Sequence, residues 1–346
     1  MIPHSKLVLD ESDITSVTGV LRSGMVAQGE VTARLEKDVA SFIGAKQAVA
    51  VNSGTAALHL SLLSLGIGED TEVIIPSYVC TALLNAIHYV GATPVLVDID
   101  PDTYNITPQA IKEALAAKTG AVIVPHMFGL PADIDSIVSL GVPVIEDCAH
   151  AVGATFKGEK AGSFGALSIL SFYATKMLGA GEGGMVLSDN SDFAETIRDL
   201  RDYDEKEIFR VRYNYKMTDI QAALCEGQLK KLSSFIRERK KIAGIYNGAL
   251  QSTDVKTPLQ PENRDHVFYR YVIKHKHAPD LMKDMKQRAI ECRRPVFKPL
   301  HRYMQHAGYP ATEKAWRESI SIPIYPSLRE EEAYLMVDSI KEVLKV

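Results

Sequence analysis

The sequence holds little that would mark a secreted, membrane-bound or nucleic-acid-binding protein. Its four cysteines, Cys80, Cys148, Cys225 and Cys292, stand singly, with no C-x-x-C and no disulfide-like spacing. Reduced thiols in a cytoplasm are the simplest account. Apolar runs break off well short of a membrane-spanning length, and the opening MIPHSKLVLDESD lacks the basic-then-apolar build of a signal peptide. A formal charge of -4 and a pI near 6.2 give no general attraction to nucleic acid or acidic membranes. Internal repeats, low-complexity tracts and a G-x-S-x-G nucleophile motif are also missing. The expected location is cytoplasmic, with neither nucleic acid nor a membrane as partner. What remains is 346 residues, 46% hydrophobic and 24% charged, which is ordinary globular composition and long for a single core. Two domains are the expectation.

Two helical stretches open the chain. ESDITSVTGVLRSG closes at Gly24, and VAQGEVTARLEKDVASFIG carries Val31, Leu35, Val39 and Phe42 at helical spacing before stopping at Gly44. An alternation follows. KQAVAVNS, TEVIIPS, TPVLVDID, GAVIVPHMF and VPVIEDCA read as strands, while TAALHLSLLSLG, CTALLNAIHYVG and stretches from about Pro108 and Pro131 read as helices. Short, nearly continuous Val/Ile/Leu strands between helices predict a mostly parallel sheet covered on both faces. ILSFYAT is a further strand running to Lys176, and after a glycine-rich loop MVLSD resumes as another. SDFAETIRDLRD reads as a helix, YDEKEIFRVRYNYK as irregular, and the capping-box pattern at Thr218–Gln221 opens a long helix to about Leu250. HVFYRYVIK, a helix near Pro279–Ile290, a short strand around RRPVF and a last helix from about Ser327 predict a smaller α+β domain. The expected division is 1–235 for the large α/β unit, with 1–30 lining the cleft, and 236–346 for the small one.

In such sheets ligands bind beyond the C-terminal ends of the strands. Three chemically useful groups fall there. Asn52-Ser53-Gly54-Thr55 lies between a strand and a helix, where free amides and the helix dipole suit a phosphate, although Ser53 or Thr55 as a plain N-cap reads the same way. Glu146-Asp147 ends a strand buried on both faces, where a carboxylate is costly unless a cation pairs with it. A pyridinium nitrogen is such a cation, and a loop arginine is another. Lys176, flanked by small residues, can approach a flat cofactor or can snorkel to solvent. Gly179, Gly181 and Gly184 match G-x-G-x-x-G, but they lead into a strand, so the helix N-terminus a dinucleotide needs is missing. Asp98, Asp100 and Asp102 lack the glycine and glutamate of a calcium loop, and His275 and His277 have no third ligand nearby, so no metal is expected. A phosphate cradle, a buried acid and a lysine on one sheet edge are together the kit for pyridoxal 5'-phosphate (PLP).

VNSGTAALHL, PVLVDIDPDTYNI, VIEDCAHAVGATFKGEKAGSFG, SFYATKMLGAGEGGMV and YNYKMTDIQAAL resemble the DegT/DnrJ/EryC1/StrS sugar aminotransferases, PLP-dependent enzymes of the aspartate-aminotransferase fold. The resemblance runs from about Leu21 to SIPIYPSL. It implies a fold type I PLP-dependent transferase with a large, mostly parallel-sheet domain and a smaller α+β C-terminal domain. It puts the covalent anchor on Lys176, the pyridinium partner at Asp147, the phosphate on the Gly54 and Thr55 amides and Ser171, and His150 beside the ring. Asn214 matches an asparagine that reaches the phosphate of the neighbouring subunit, which implies a homodimer with shared active sites. Gln28, His301 and Tyr325 match positions facing the substrate. The implied reaction moves an amino group from L-glutamate to a keto group of a nucleotide-linked sugar.

Two departures stand out. Cys80 occupies a place where the family usually has an aromatic over the cofactor ring, and Arg201-Asp202-Tyr203-Asp204 replaces an R-N-H-G run. Three rivals belong beside the aminotransferase reading. Sugar dehydratases of the group carry His where Lys176 stands. Other fold type I chemistry, such as sulfur transfer from cysteine, would need an activated Cys292, which nothing flanks. A cofactor-free regulatory protein on the same scaffold would be colourless when purified.

Overall fold

The computed structural model describes residues 1–345. Helix α1 (Glu11–Ser23) starts where Asp10 accepts from the amides of Ser12 and Asp13 in a capping box, and stops at Gly24, whose φ of 74° is the left-handed turn that glycine tolerates best. α2 (Glu30–Ile43) buries Leu35, Val39 and Ile43. The alternation then runs β1 (Gln47–Val51), α3 (Gly54–Ser64), β2 (Glu72–Pro76), α4 (Thr81–Tyr89) and β3 (Thr93–Val97). It continues with α5 (Pro108–Ala114), β4 (Thr119–Pro125), α6 (Ile134–Val138) and β5 (Val144–Asp147). A small excursion, β6 (Thr155–Phe156) and β7 (Glu159–Lys160), precedes β8 (Leu167–Ser171), β9 (Gly184–Ser188), α7 (Ser191–Leu200) and α8 (Asp219–Leu250). The remainder holds β10 (Arg264–Asp265), β11 (Tyr271–Lys274), α9 (Ala278–Gln287), α10 (Leu300–Tyr303), α11 (Pro310–Glu318), β12 (Ser319–Ile322) and α12 (Glu330–Leu344).

Seven strands pair in the order β1-β9-β8-β5-β4-β2-β3, and each pair is parallel except the two that β9 makes with β1 and β8. This is the mixed α/β architecture with a large, mostly parallel sheet that the strand–helix alternation predicts. Successive strand residues face opposite sides. Val49 and Val51 therefore join the core under α3, α4 and α7, while Ala48 and Ala50 join the core under α2 and the first half of α8. A further core forms from Ile242, Tyr246 and Leu250 of α8, the β11–β12 pair, α9 and α12. The 32 residues of α8 thus run from one core into another, a length of about 48 Å. Among the described residues no helix is long and apolar enough to cross a membrane.

Several local expectations need correction. β8 ends at Ser171, so Lys176 sits on the following loop rather than at a strand tip. That loop is held like a hairpin: Phe172 N–H donates to Gly183 O at 2.8 Å and Ala174 N–H to Gly181 O at 2.9 Å. RRPVF makes only a single bridge, Arg293 to Ser321, because Pro295 has no N–H to continue a ladder. The helix expected from Pro131 forms only over Ile134–Val138, and the last one begins at Glu330 rather than Ser327. α10 and α11 lie in a segment where the sequence predicts no element.

The two acids that end β5 point to opposite sides and meet different company. Glu146 is fully buried and accepts from the amides of Gly162, Phe164 and Gly165 at 2.9, 2.7 and 2.8 Å. His126 Nδ1 accepts the Ala132 N–H at 3.0 Å, so its Nε2 carries the hydrogen that Glu146 receives at 2.9 Å. Burial opposes ionisation of Glu146, but His126 and the amides outweigh it and hold the carboxyl below its usual range. Cys148 lies close enough to complete a metal-sized triad with these two. Their lone pairs are already committed, however, and burial pushes the Cys148 thiol well up. Glu146→Ala should destabilise the protein by about 3–5 kcal/mol, the scale for stranding buried partners of an ion pair. A lowered urea midpoint checks it; an unchanged midpoint would show that the 162–165 loop does not hang on this side chain.

Candidate active site

A cleft of about 340 Å³ opens beyond the ends of β4, β5 and β8, and Cys80, Asp147, His150, Lys176, Tyr269 and Arg270 are among its walls. Asp147 reaches it because β5 stops there. One of its oxygens accepts the Ala149 N–H at 3.0 Å, and among the described residues no hydrogen bond reaches the other. Burial pushes its carboxyl up, opposed by the Ala149 amide and by the charges of Lys176 and His126. Lys176 is steadied by its backbone N–H, which donates to Tyr173 O at 2.8 Å, and its Nζ lies 5.1 Å from the centre of the Tyr269 ring. His150 stacks on the same ring, with centroids 4.4 Å apart and planes 20° apart. Burial, then the charges of Lys176 and Arg270, hold its imidazole well below the ordinary value, so it is neutral.

Beside the cleft lies a seat for an anion. Ser53 caps α3 by accepting from Ala56 N–H at 3.1 Å, and among the described residues the amides of Gly54 and Thr55 in the first turn have no acceptor. Gly54 passes so near β8 that a Cβ there would lie 2.9 Å from Ser171 Cβ. At Gly184 a Cβ would lie 2.5 Å from the Ser53 carbonyl. Only glycine fits at either point, and the close approach brings Ser171 against the α3 N-terminus. Among the described residues the Ser171 hydroxyl receives only a long 3.5 Å contact from Tyr173 N–H. Free amides at a helix N-terminus, a free hydroxyl and an uncommitted carboxylate are the donor and acceptor set that PLP requires. The residues fit the cofactor.

A family model, that of the DegT/DnrJ/EryC1/StrS aminotransferase family, matches residues 8–341. The chain belongs to that family. It is an aminotransferase. Among its relatives, the GDP-perosamine synthase of Caulobacter vibrioides is 34% identical over 359 residues, covering 97% of this chain and 94% of that protein. The aminotransferase TlmJ from Streptoalloteichus hindustanus has a TM-score of 0.95 at 30% identity, over 100% of this chain and 99% of that one. A Streptococcus pneumoniae protein described as a sugar aminotransferase, Spr1654, has been solved in a PLP-form and has a TM-score of 0.94 at 26% identity, over 99% and 98% of the two chains.

The aminotransferase brings Lys176, Asp147 and His150 together and sets Gly54, Thr55 and Ser171 in one seat, but the other residues singled out in the sequence lie elsewhere in the chain. Gln28 lines a separate cleft of about 700 Å³ between α1, α2 and Asp219, and its Oε1 is buried without a partner. His301 is buried with both ring nitrogens engaged, Nδ1 with Ser77 Oγ at 2.7 Å and Nε2 with Glu313 Oε1 at 2.8 Å. Tyr325 packs into the core of the C-terminal part. Asn214 exposes its side chain, while its carbonyl accepts from Asn52 Nδ2 at 3.2 Å. Arg201 is occupied structurally, bonded to Glu36 Oε1 at 2.9 Å and to Ala50 O at 2.7 Å.

Sequence reasoning missed Tyr269 and Arg270, along with Lys298 and Tyr303 at the cleft mouth. HVFYRYVIK reads as one strand, yet pairing begins only at Tyr271, because Phe268 takes a φ of 50° and turns the chain toward the cleft. Cys80, exposed at the N-cap of α4, supplies no ring, and the aromatic side chains of the cleft are Tyr173, Tyr269, Phe297 and Tyr303.

Burial alone would raise the Tyr269 phenol, but Lys176 and Arg270 outweigh it and bring it down to about 8. In protein stripped of cofactor, one tyrosine should therefore ionise as pH rises through about 8, well before the rest. Tyrosinate absorbance measures this, and the early step should vanish in Tyr269→Phe. A titration in which wild type and variant coincide would remove Tyr269 from between the two cations.

Proposed function

We propose that this aminotransferase uses PLP to move an amino group from L-glutamate to a keto group of a nucleotide-linked sugar, acting as a homodimer with shared sites. One observation carries the cofactor reading: Lys176 and a carboxylate with an uncommitted oxygen border one cleft, beside an anion seat that only glycines permit. When bound, PLP supplies the electron sink that lets an amino group leave one carbon and later arrive at another. Lys176 Nζ would hold the cofactor and is the amine placed to accept and return a proton there. Asp147 keeps the ring nitrogen protonated through a charge-assisted hydrogen bond. The Gly54 and Thr55 amides and the Ser171 hydroxyl hold the phosphate. His150, neutral and stacked on Tyr269, would border the ring without adding charge.

The substrate classes follow from charge and from kinship. Three cationic side chains, Lys176, Arg270 and Lys298, face Asp147 alone in the cleft of a chain whose net charge is -4. Such a cleft favours anions, and both a dicarboxylic amino acid and a nucleotide diphosphate are anions. The GDP-perosamine synthase and the sugar aminotransferase among the relatives support the sugar. For the dimer, Ile208, Phe209 and Val211 stand 77%, 93% and 67% exposed a few residues before Asn214, an apolar run that a second subunit would cover. A dehydratase reading gains nothing from the site, since Lys176 is present.

Lys176→Ala should abolish turnover and yield no borohydride-reducible adduct of protein and cofactor; retained activity would refute the anchor. Asp147→Asn should slow turnover about a hundredfold, the scale for losing one group aimed at developing charge. Unslowed half-reactions in that variant would end the role given to Asp147. A screen of nucleotide-linked 3-keto and 4-keto sugars with L-glutamate, read by product NMR, tests the substrate.

A further inference from the structure

Arg270 is a charge that the chain answers with the Tyr269 phenol rather than with a carboxylate. It lies half-buried just ahead of β11, and among the described residues no acidic side chain pairs with it. Its guanidinium carbon stands 5.5 Å from the centre of the Tyr269 ring, and Lys176 Nζ stands 5.1 Å from the same point. The two cations thus line one cleft and share one aromatic ring as a neighbour. Nor is the arginine on a loose segment. Its N–H donates to Phe128 O at 3.2 Å, and Val267 N–H donates to Gly129 O at 3.0 Å. Gly129, at φ 105°, leaves room for this contact: a Cβ there would lie 3.0 Å from the Tyr269 nitrogen. Met127 N–H in turn donates to Asn105 Oδ1 at 2.8 Å, so the turn after β4 fixes where Arg270 starts.

A half-buried guanidinium without an anion gives up hydration and gains little in return. Its planar fork matches a carboxylate through two parallel hydrogen bonds. We propose that Arg270 receives the carboxylate of the amino donor and so restricts donors to amino acids. This rests on the aminotransfer reading above and deepens it.

Bond counting favours the carboxylate over the other anions at hand. In an α-amino acid it stands two bonds from the nitrogen exchanged at Lys176, so it must fall close to that amine. The diphosphate of a nucleotide-linked sugar is held farther from the keto carbon by the sugar ring, which sends it outward to Lys298 and to Phe297, 85% exposed at the mouth. The cofactor phosphate has its own seat at Gly54, and the sole acid of the cleft, Asp147, is spoken for by the ring nitrogen.

The test uses the cofactor-loaded enzyme and calorimetry rather than turnover. The probes are 2-oxoglutarate, which carries the donor's carboxylates, and the nucleoside diphosphates GDP and UDP. In Arg270→Gln, 2-oxoglutarate should bind roughly ten- to a hundredfold more weakly, the range for losing a charge-assisted pair. Arg270→Lys should recover part of that loss, both nucleotides should bind as in the wild type, and cofactor absorbance should be unchanged. Unaltered 2-oxoglutarate affinity in Arg270→Gln overturns the inference, and so does a loss that falls on the nucleotides instead. Failure of the underlying reading looks different: the wild type itself would bind no 2-oxoglutarate, and no amino acid would change its cofactor colour.

Discussion

Placing a carboxylate at the buried end of a parallel strand raises the energy of its charged form, and Asp147 meets that cost with one backbone amide and the field of Lys176. Its neighbour Glu146 stands in the same strand and has an imidazole and three amides around it. The contrast explains what each can do. Glu146 is saturated and holds the 162–165 loop to β5. Asp147 is left short of partners on the side facing the cleft, so a cationic heterocycle completes it better than anything in the chain does.

The site also draws on two parts of the molecule with different tasks. The end of β5, the loops after β5 and β8 and the start of α3 supply Asp147, His150, Lys176 and the seat at Gly54, the groups that would grip a cofactor. Tyr269, Arg270 and Lys298 arrive from the C-terminal third and face whatever lies over it. These two sets are not independent, because Tyr269 stacks on His150 while both cations lie near its ring. A change in substrate-side charge is therefore felt by the phenol and by the imidazole of the cofactor side.

How much of this the sequence disclosed depends on how local each signal was. Runs such as AVAV and EVIIP predict their strands because a strand covered by helices on both faces needs apolar side chains on both, and β1 and β2 form there. Ser53-Gly54 was legible because it joins a strand to a helix, and Asp147 because an acid that ends a doubly covered strand needs a partner. Lys176 was recognised although its strand is shorter than its apolar run indicates, since Phe172 bonds to Gly183 in the loop instead of extending the sheet. Tyr269 and Arg270 were hidden by backbone that their neighbours disfavour. Phe128 and Phe268 both adopt positive φ, which a bulky residue accepts only when surrounding contacts impose it. His301 was singled out by motif alone, and no local pattern reveals that Ser77 and Glu313, both distant in sequence, occupy its two nitrogens.

The loop after β8 has one more consequence. Seven residues separate Lys176 from Gly184, and Gly184 abuts the Ser53 carbonyl at the rim of the anion seat. Rungs at 172–183 and 174–181 keep that loop from stretching. A single rigid clip therefore carries the amine at one end and a jaw of the seat at the other. The backbone span between them works as a fixed gauge: peptide geometry sets how far the root of the lysine stands from the seat, and the lysine's own stem covers the remainder.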